Sequence, residues 1–195
     1  MSINQGYWNE LYLEGFIGWD LGQASPPLID FFKTLDDTNI RILIPGCGNA
    51  YEAKVLYDRG FHNTTLLDWS AEALNAVKKR FGAIEDSNLV CEDFFEHRSS
   101  YDLIIEQTFF CAIEPSLREH YAKQASNLLK PDGVVAGVLF RREFEQEGPP
   151  WGGTLEEYKT CFNPYFNIET LEPCYNSIAQ RAGNELFIKL IKKHA

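Results

Sequence analysis

The sequence predicts an α/β fold, a doubly wound, seven-stranded and mostly parallel sheet with one antiparallel strand, and two features carry that expectation. One is residues 40–50, IRILIPGCGNA, where a short aliphatic run breaks into a glycine-rich turn. The other is the alternation that follows: short apolar runs separated by longer amphipathic ones, through five successive strands up to Phe140. Such alternation is the signature of parallel strands joined by helical crossovers.

Ile40, Ile42, Leu43 and Ile44 are too few for a buried helix, and their β-branched, nearly continuous apolar character suits a strand covered on both faces. Pro45 keeps Ile44 extended, while Gly46 and Gly48 permit backbone angles and close approaches that a side chain forbids. Helical spacing resumes over Glu52 to Arg59, with Ala53, Leu56 and Tyr57 on one face and Gly60 as the stop. A second strand, Thr64 to Leu67, ends at Asp68, and Ser70 caps a helix whose Ala71, Leu74, Val77, Lys78 and Phe81 form an amphipathic face. The third strand, Asn88 to Cys91, runs into Glu92, Asp93 and Phe94. The fourth, Tyr101 to Ile105, delivers Glu106, Gln107, Thr108, Phe109, Phe110 and Cys111 to the same end of the sheet, where ligands gather in doubly wound folds.

A helix starting near Pro115 carries Leu117, Tyr121, Leu128 and Leu129, and KPDG then turns the chain into a fifth strand, VVAGVLF. Beyond it lies a charged loop, Arg141 to Gly153, of the kind that shapes a substrate mouth. Thr154 and Glu157 form a capping box for a short helix. Phe166 to Glu172 and Glu185 to Ile191 read as two strands joined by a long hairpin, the last one antiparallel and closing the sheet edge.

Residues 1–39 precede the first strand. Trp8, Leu11 and Tyr12 share one face of a short helix, Phe16 and Trp19 follow in a segment broken by Gly15, Gly18 and Gly22, and Ser25-Pro26-Pro27 opens a helix with Leu28, Ile29, Phe32 and Leu35 on one face up to Asp36. The aromatic rings serve either as a fixed cap on the sheet edge or as a lid over a ligand.

Composition bounds the rest. With 195 residues and 45% hydrophobic content, the chain is expected to form a single domain, 1–195, without a disulfide or structural metal. A net charge of −10 with no basic stretch argues against nucleic-acid and anionic-membrane partners and for a small-molecule one, the protein itself being a monomer or a weak homo-oligomer. The five cysteines form no CxxC pair, which argues for reduced thiols, a cytoplasmic setting and no zinc. No apolar signal core or membrane-length run is present.

Asp68 lies about 20 residues past the glycines, the separation at which an acid meets ribose hydroxyls in nucleoside-binding α/β folds. Two cofactors suit that geometry, a nicotinamide dinucleotide and S-adenosyl-L-methionine. The dinucleotide fingerprint requires a third glycine where this chain has Tyr51, so a pyrophosphate is disfavoured and an oxidoreductase becomes the alternative. Asp93 and Phe94 offer a carboxylate for an adenine amino group and a ring edge beside the base. A nucleoside-binding regulatory module is the non-enzymatic alternative. Cys47 and Cys111 are better read as small apolar fillers than as nucleophiles, and His62, His97, His120 and His194 as surface or helix residues rather than bases.

These motifs together resemble the thiopurine S-methyltransferase superfamily of Rossmann-like, class I S-adenosylmethionine-dependent methyltransferases, especially its plant and bacterial halide/thiol branch. The resemblance runs from about Tyr7 to the C-terminus and rests on YW…GWDLG…P, PGCG, DFF, TFFCAI and GPP. It implies cofactor contacts at Trp8, Tyr12, Trp19, Gly46, Gly48, Asp68, Asp93, Phe94 and Gln107, and substrate-side roles for Gln107, Phe109, Phe110 and Arg141. Tyr12 stands where relatives often carry tryptophan, Gln107 where tyrosine is common, and Arg141 where proline is common. The implied activity is methyl transfer to a small soft nucleophile, a thiol first and a halide second. Such chemistry needs alignment and desolvation more than a strong base.

Overall fold

The computed structural model describes residues 3–82, 88–146 and 148–194, so Glu147 of the charged loop lies outside the described residues. The elements are α1 (Gln5–Glu14), α2 (Pro26–Phe32), β1 (Ile42–Pro45), α3 (Tyr51–Asp58), β2 (Thr64–Asp68), α4 (Ala71–Phe81), β3 (Leu89–Cys91), β4 (Tyr101–Gln107), α5 (Arg118–Leu128), β5 (Leu129–Phe140), α6 (Leu155–Phe162), β6 (Phe166–Pro173) and β7 (Glu185–Lys192). The seven strands form one sheet in the order β3-β2-β1-β4-β5-β7-β6. The first five strands pair in parallel, and β7 runs antiparallel to both β5 and β6. The expected antiparallel strand is therefore present but does not close the edge. It inserts between β5 and β6, because the long 174–184 connection lets the chain double back and cover the otherwise open side of β5.

Strand residues alternate between two apolar layers, as the two-residue period of a strand requires. Ile42, Ile44, Leu66, Leu103 and Ile105 face Leu28 and Phe32 of α2, Leu56 of α3 and Leu74 and Val77 of α4. Leu43, Leu67, Ile104 and Leu139 face Tyr121 and Leu128 of α5 and Tyr158 and Phe162 of α6. Both sides of β1 are buried, which explains its lack of polar residues.

Several boundaries shift. Ile40 lies outside β1, α2 stops at Phe32, and Pro115–Leu117 forms a separate 3₁₀ turn ahead of α5. Leu117 is 41% exposed rather than part of the apolar face of α5. The KPDG turn is an interruption inside β5: Asp132 takes a left-handed conformation, and the β4 register slips between Tyr101 and Leu103. The Thr154–Glu157 capping box is formed in both directions. Residues 1–39 divide in two. Leu28 and Phe32 belong to the core, whereas α1 has no buried residue and lies outside the layers. Among the described residues no helix is long and apolar enough to cross a membrane.

Candidate active site

The C-terminal ends of β1 to β5 open into a cleft of about 700 Å³, covered by the segment from Ile3 to Trp19. Its floor is the turn after β1. Gly46 and Gly48 adopt φ of 55° and 50°, and Ala50 is also left-handed, so the turn folds tightly before α3. A Cβ at Gly46 would lie 2.3 Å from the Phe109 ring, and one at Gly48 would lie 2.8 Å from the Tyr12 hydroxyl. The glycines thus admit two aromatic side chains against the main chain.

Asp68, at the end of β2, is almost wholly buried. One carboxylate oxygen accepts the Gly48 N–H at 3.0 Å and the other the Ser70 N–H at 2.8 Å. Burial pushes its pKa up to about 6, with the backbone donors of Ser70, Gly48 and Trp69 opposing that rise. Each oxygen keeps a lone pair for a further donor, the requirement for holding two adjacent hydroxyls. Asp93 and Phe94 line the cleft beside it, and Phe94 packs edge-on to Phe109 with ring centroids 5.3 Å apart.

The cover is built from aromatics. Trp19 meets Trp8 at 5.5 Å and Tyr12 at 5.8 Å, both edge to face. Hydrogen bonds fasten it to the body: Gln5 to the Trp69 carbonyl, Ser70 to Asn9, Asn49 and Tyr51 to Asp20, and Arg181 to the Trp19 carbonyl.

Of the residues expected here, Trp8, Tyr12, Trp19, Gly46, Asp68, Asp93, Phe94 and Phe109 line the cleft. Gly48 supports it from beneath through Asp68. Three do not reach it. Gln107, at the end of β4, is half-buried and is not among the lining residues, and among the described residues its buried Oε1 has no hydrogen-bond partner. Phe110 is a core residue packed on Tyr121, Tyr158 and Phe162. Arg141 is exposed and its backbone pairs with Asn184, and the neighbouring Arg142 takes the place at the cleft.

Sequence reasoning missed Trp69, Arg142, Phe144, Gln180 and Arg181, all of which line the cleft. Trp69 carried a signal, being adjacent to Asp68. Gln180 and Arg181 sit in the β6–β7 connection, which looks like an ordinary polar loop until the strand order brings it back over β5. His97 is buried, not on a surface or helix, and its ring nitrogens meet Glu92 and the Tyr101 hydroxyl. Cys47 and Cys111 are buried thiols, and burial raises the pKa of both, Cys111 to about 12, so they act as neutral fillers.

These residues fit an adenosyl donor lacking phosphates. Tyr51 occupies the first turn of α3, its hydroxyl on Asp20 and the Arg80 guanidinium 4.8 Å from its ring, and so fills the space a dinucleotide's third glycine would leave open. A buried acid, a glycine cradle and a wall of aromatic rings remain, on a sheet with one antiparallel strand. This combination defines a class I S-adenosylmethionine-dependent methyltransferase. The chain belongs to the thiopurine S-methyltransferase family, whose model matches residues 3–192. It is 32% identical over 185 residues to a probable thiol methyltransferase 2 of Arabidopsis thaliana, an alignment covering 92% of this chain and 81% of the relative. It is 30% identical over 190 residues to thiocyanate methyltransferase 1 of Brassica oleracea, covering 94% and 84%. The 1,6-didemethyltoxoflavin-N1-methyltransferase of Burkholderia thailandensis, solved with S-adenosylhomocysteine, shares the fold with a TM-score of 0.75 at 16% identity, over 97% of this chain and 87% of that one.

Proposed function

We propose that the methyl acceptor is a small, anionic, soft nucleophile, a thiol reacting as its thiolate first and a halide or thiocyanate-like anion second. The observation that carries this is the charge polarity of the cleft. Its β2–β3 end presents Asp68, Glu92 and Asp93, while its β5–β7 end presents Arg142 and Arg181. Among the described residues lining the cleft, Glu114 is the one acid on the second side. Arg181 is partly neutralised by Glu185 at 3.2 Å, whereas among the described residues Arg142 has no carboxylate within ion-pair distance. An acid end suits a donor with hydroxyls and an amino group, and a guanidinium end suits an anion. The relatives named for thiol and thiocyanate acceptors support the same reading.

When bound, S-adenosylmethionine would supply a methyl carbon activated by its sulfonium, open to in-line attack by a nucleophile with S-adenosylhomocysteine as the leaving group. The chain does the rest by position. Asp68 holds hydroxyls from the β2 end, and the Gly46–Gly48 turn removes side chains that would obstruct them. Trp8, Tyr12 and Trp19 shield the cleft from water and favour a cation beneath their faces, at about 0.5 to 2 kcal/mol per well-placed ring. Phe94 and Phe109 form the wall between the two ends. Among the described residues, no histidine or lysine lines the cleft. A thiolate entering ionised brings its own lone pair, so alignment and desolvation suffice.

The test is Arg142→Gln, assayed with thiols, thiocyanate, iodide and neutral amines. We expect kcat/KM for the anionic acceptors to fall about tenfold, with turnover of any neutral amine unchanged. An equal fall for all acceptors, or a parent enzyme that prefers amines, contradicts the assignment.

A further inference from the structure

We propose that Glu106 is a positioning residue for methyl transfer: from inside the core, its carboxylate fixes both aromatic rings that separate the two ends of the cleft. The proposal rests on the cleft assigned above but not on the identity of the acceptor.

Glu106 interrupts the apolar β4 run of Tyr101, Leu103, Ile104 and Ile105, and is 0% exposed. It does not line the cleft, and among the described residues no cation pairs with it. Burying a carboxylate without a cation is costly unless its oxygens are filled by hydrogen bonds. Here they are. One oxygen accepts the N–H groups of Phe109 and Phe110, at 2.9 and 2.8 Å, and the other accepts the Tyr121 hydroxyl at 2.7 Å. The sheet makes room for this arrangement: Gly137, its register partner on β5, could not carry a Cβ without placing it 2.4 Å from the Glu106 Cβ.

The two N–H groups belong to a turn that the chain would otherwise have difficulty holding. Thr108 takes φ of 62°, which is uncommon for a β-branched residue, and the chain then enters the 3₁₀ turn Phe110–Ala112. Anchored this way, the Phe109 ring is pressed onto Gly46 and faces Phe94. The third bond reaches the other ring. Tyr121 stacks on Phe94 with centroids 5.2 Å apart and planes 25° apart. One buried carboxylate thus reaches Phe109 through the backbone and Phe94 through a tyrosine.

Three variants test the role: Glu106→Ala, Glu106→Gln and Tyr121→Phe, each assayed with whichever acceptor the parent methylates fastest. An amide can keep both N–H bonds through its oxygen and donate to the Tyr121 hydroxyl, so Glu106→Gln should stay within about threefold of the parent in kcat/KM. Glu106→Ala should lose thirtyfold or more, mainly in kcat, with S-adenosylhomocysteine affinity changed less than fivefold. Tyr121→Phe should lose about fivefold, and should add nothing to the loss in Glu106→Ala. A merely structural glutamate predicts lowered thermal stability with kcat/KM per folded molecule unchanged in every soluble variant, and that result overturns the proposal. Should Glu106→Ala fail to fold, Tyr121→Phe decides: parental turnover in that variant overturns it too. If the parent prefers an amine, the acceptor assignment fails while these ratios remain readable.

Discussion

At the scale of single residues, two buried acids set expectations with definite signs. Asp68 has its pKa raised to about 6 by burial, and a bound nucleoside that donates two hydroxyls stabilises the ionised form. Affinity for S-adenosylhomocysteine should therefore weaken as pH falls below 6, by up to about tenfold per unit, while Asp68→Asn should titrate without that limb. Asp68→Ala should lose about 2 to 4 kcal/mol of binding in calorimetry while staying folded. Parental affinity in both variants would displace the site.

Glu106 is raised to about 7 by burial, in contact with Tyr121 and near Cys111, whose own pKa values it helps to raise. An acid with a raised folded-state pKa contributes stability that is present below its unfolded value, near 4.5, and lost as pH rises toward 7. Denaturation midpoints compared at pH 5 and pH 7.5 should show that loss in the parent and a smaller one in Glu106→Gln. Equal slopes would mean that Glu106 titrates normally.

At the scale of elements, the sequence made the strands legible and the loops only partly so. Residues 42–45, 64–68 and 101–107 are readable because each is a short apolar run ending at a functional polar or glycine residue. Asp68, Asp93 and Phe94 stand at or just after such strand ends, which is why the sequence pattern points to them, and all three line the cleft. Gln107 ends β4 yet is not among the residues lining the cleft, because whether the last residue of a strand reaches a cleft depends on the loops folded over it, which the strand pattern does not encode. Arg142 and Arg181 were hidden because their position depends on β7 inserting between β5 and β6, a tertiary fact that no local pattern encodes.

The glycine turn and the cover give element-scale tests. Gly46→Ala places a Cβ into the Phe109 ring at a left-handed φ, so it should destabilise the fold by about 1 to 3 kcal/mol and abolish cofactor binding. Wild-type binding in that variant would mean that the turn is not the floor. The cover from Ile3 to Trp19 has an α1 with no buried residue and a few polar fastenings, the profile of a segment with low local stability. Hydrogen exchange over residues 5–24 should slow when S-adenosylhomocysteine binds, with the core strands unchanged. Slow exchange without ligand, unaltered by it, identifies a fixed cap instead.

For the whole molecule, the architecture separates support from chemistry. Two apolar layers hold the sheet, and the cleft is built on one of them, since Leu67, Phe94 and Ile113 belong to the layer of α5 and α6 and also line the cleft. Glu106 ties that layer to the wall of the cleft through the Phe109 backbone and through Tyr121, which is why a core residue is proposed to influence turnover. The acid end and guanidinium end come from opposite flanks of β1 and β4, and the aromatic cover spans them. Methyl transfer to a thiolate, as proposed above, is the reaction that this polarity would serve. The most direct measurement is mass-spectrometric detection of product from S-adenosylmethionine bearing a trideuterated methyl group, offered to thiols, halides and amines together. The account predicts that the intact labelled methyl appears on sulfur, with a rate that climbs as the free thiol ionises while halide methylation stays flat with pH. Label on amine nitrogen or oxygen in preference to sulfur, or no labelled product despite tight S-adenosylhomocysteine binding, would contradict it.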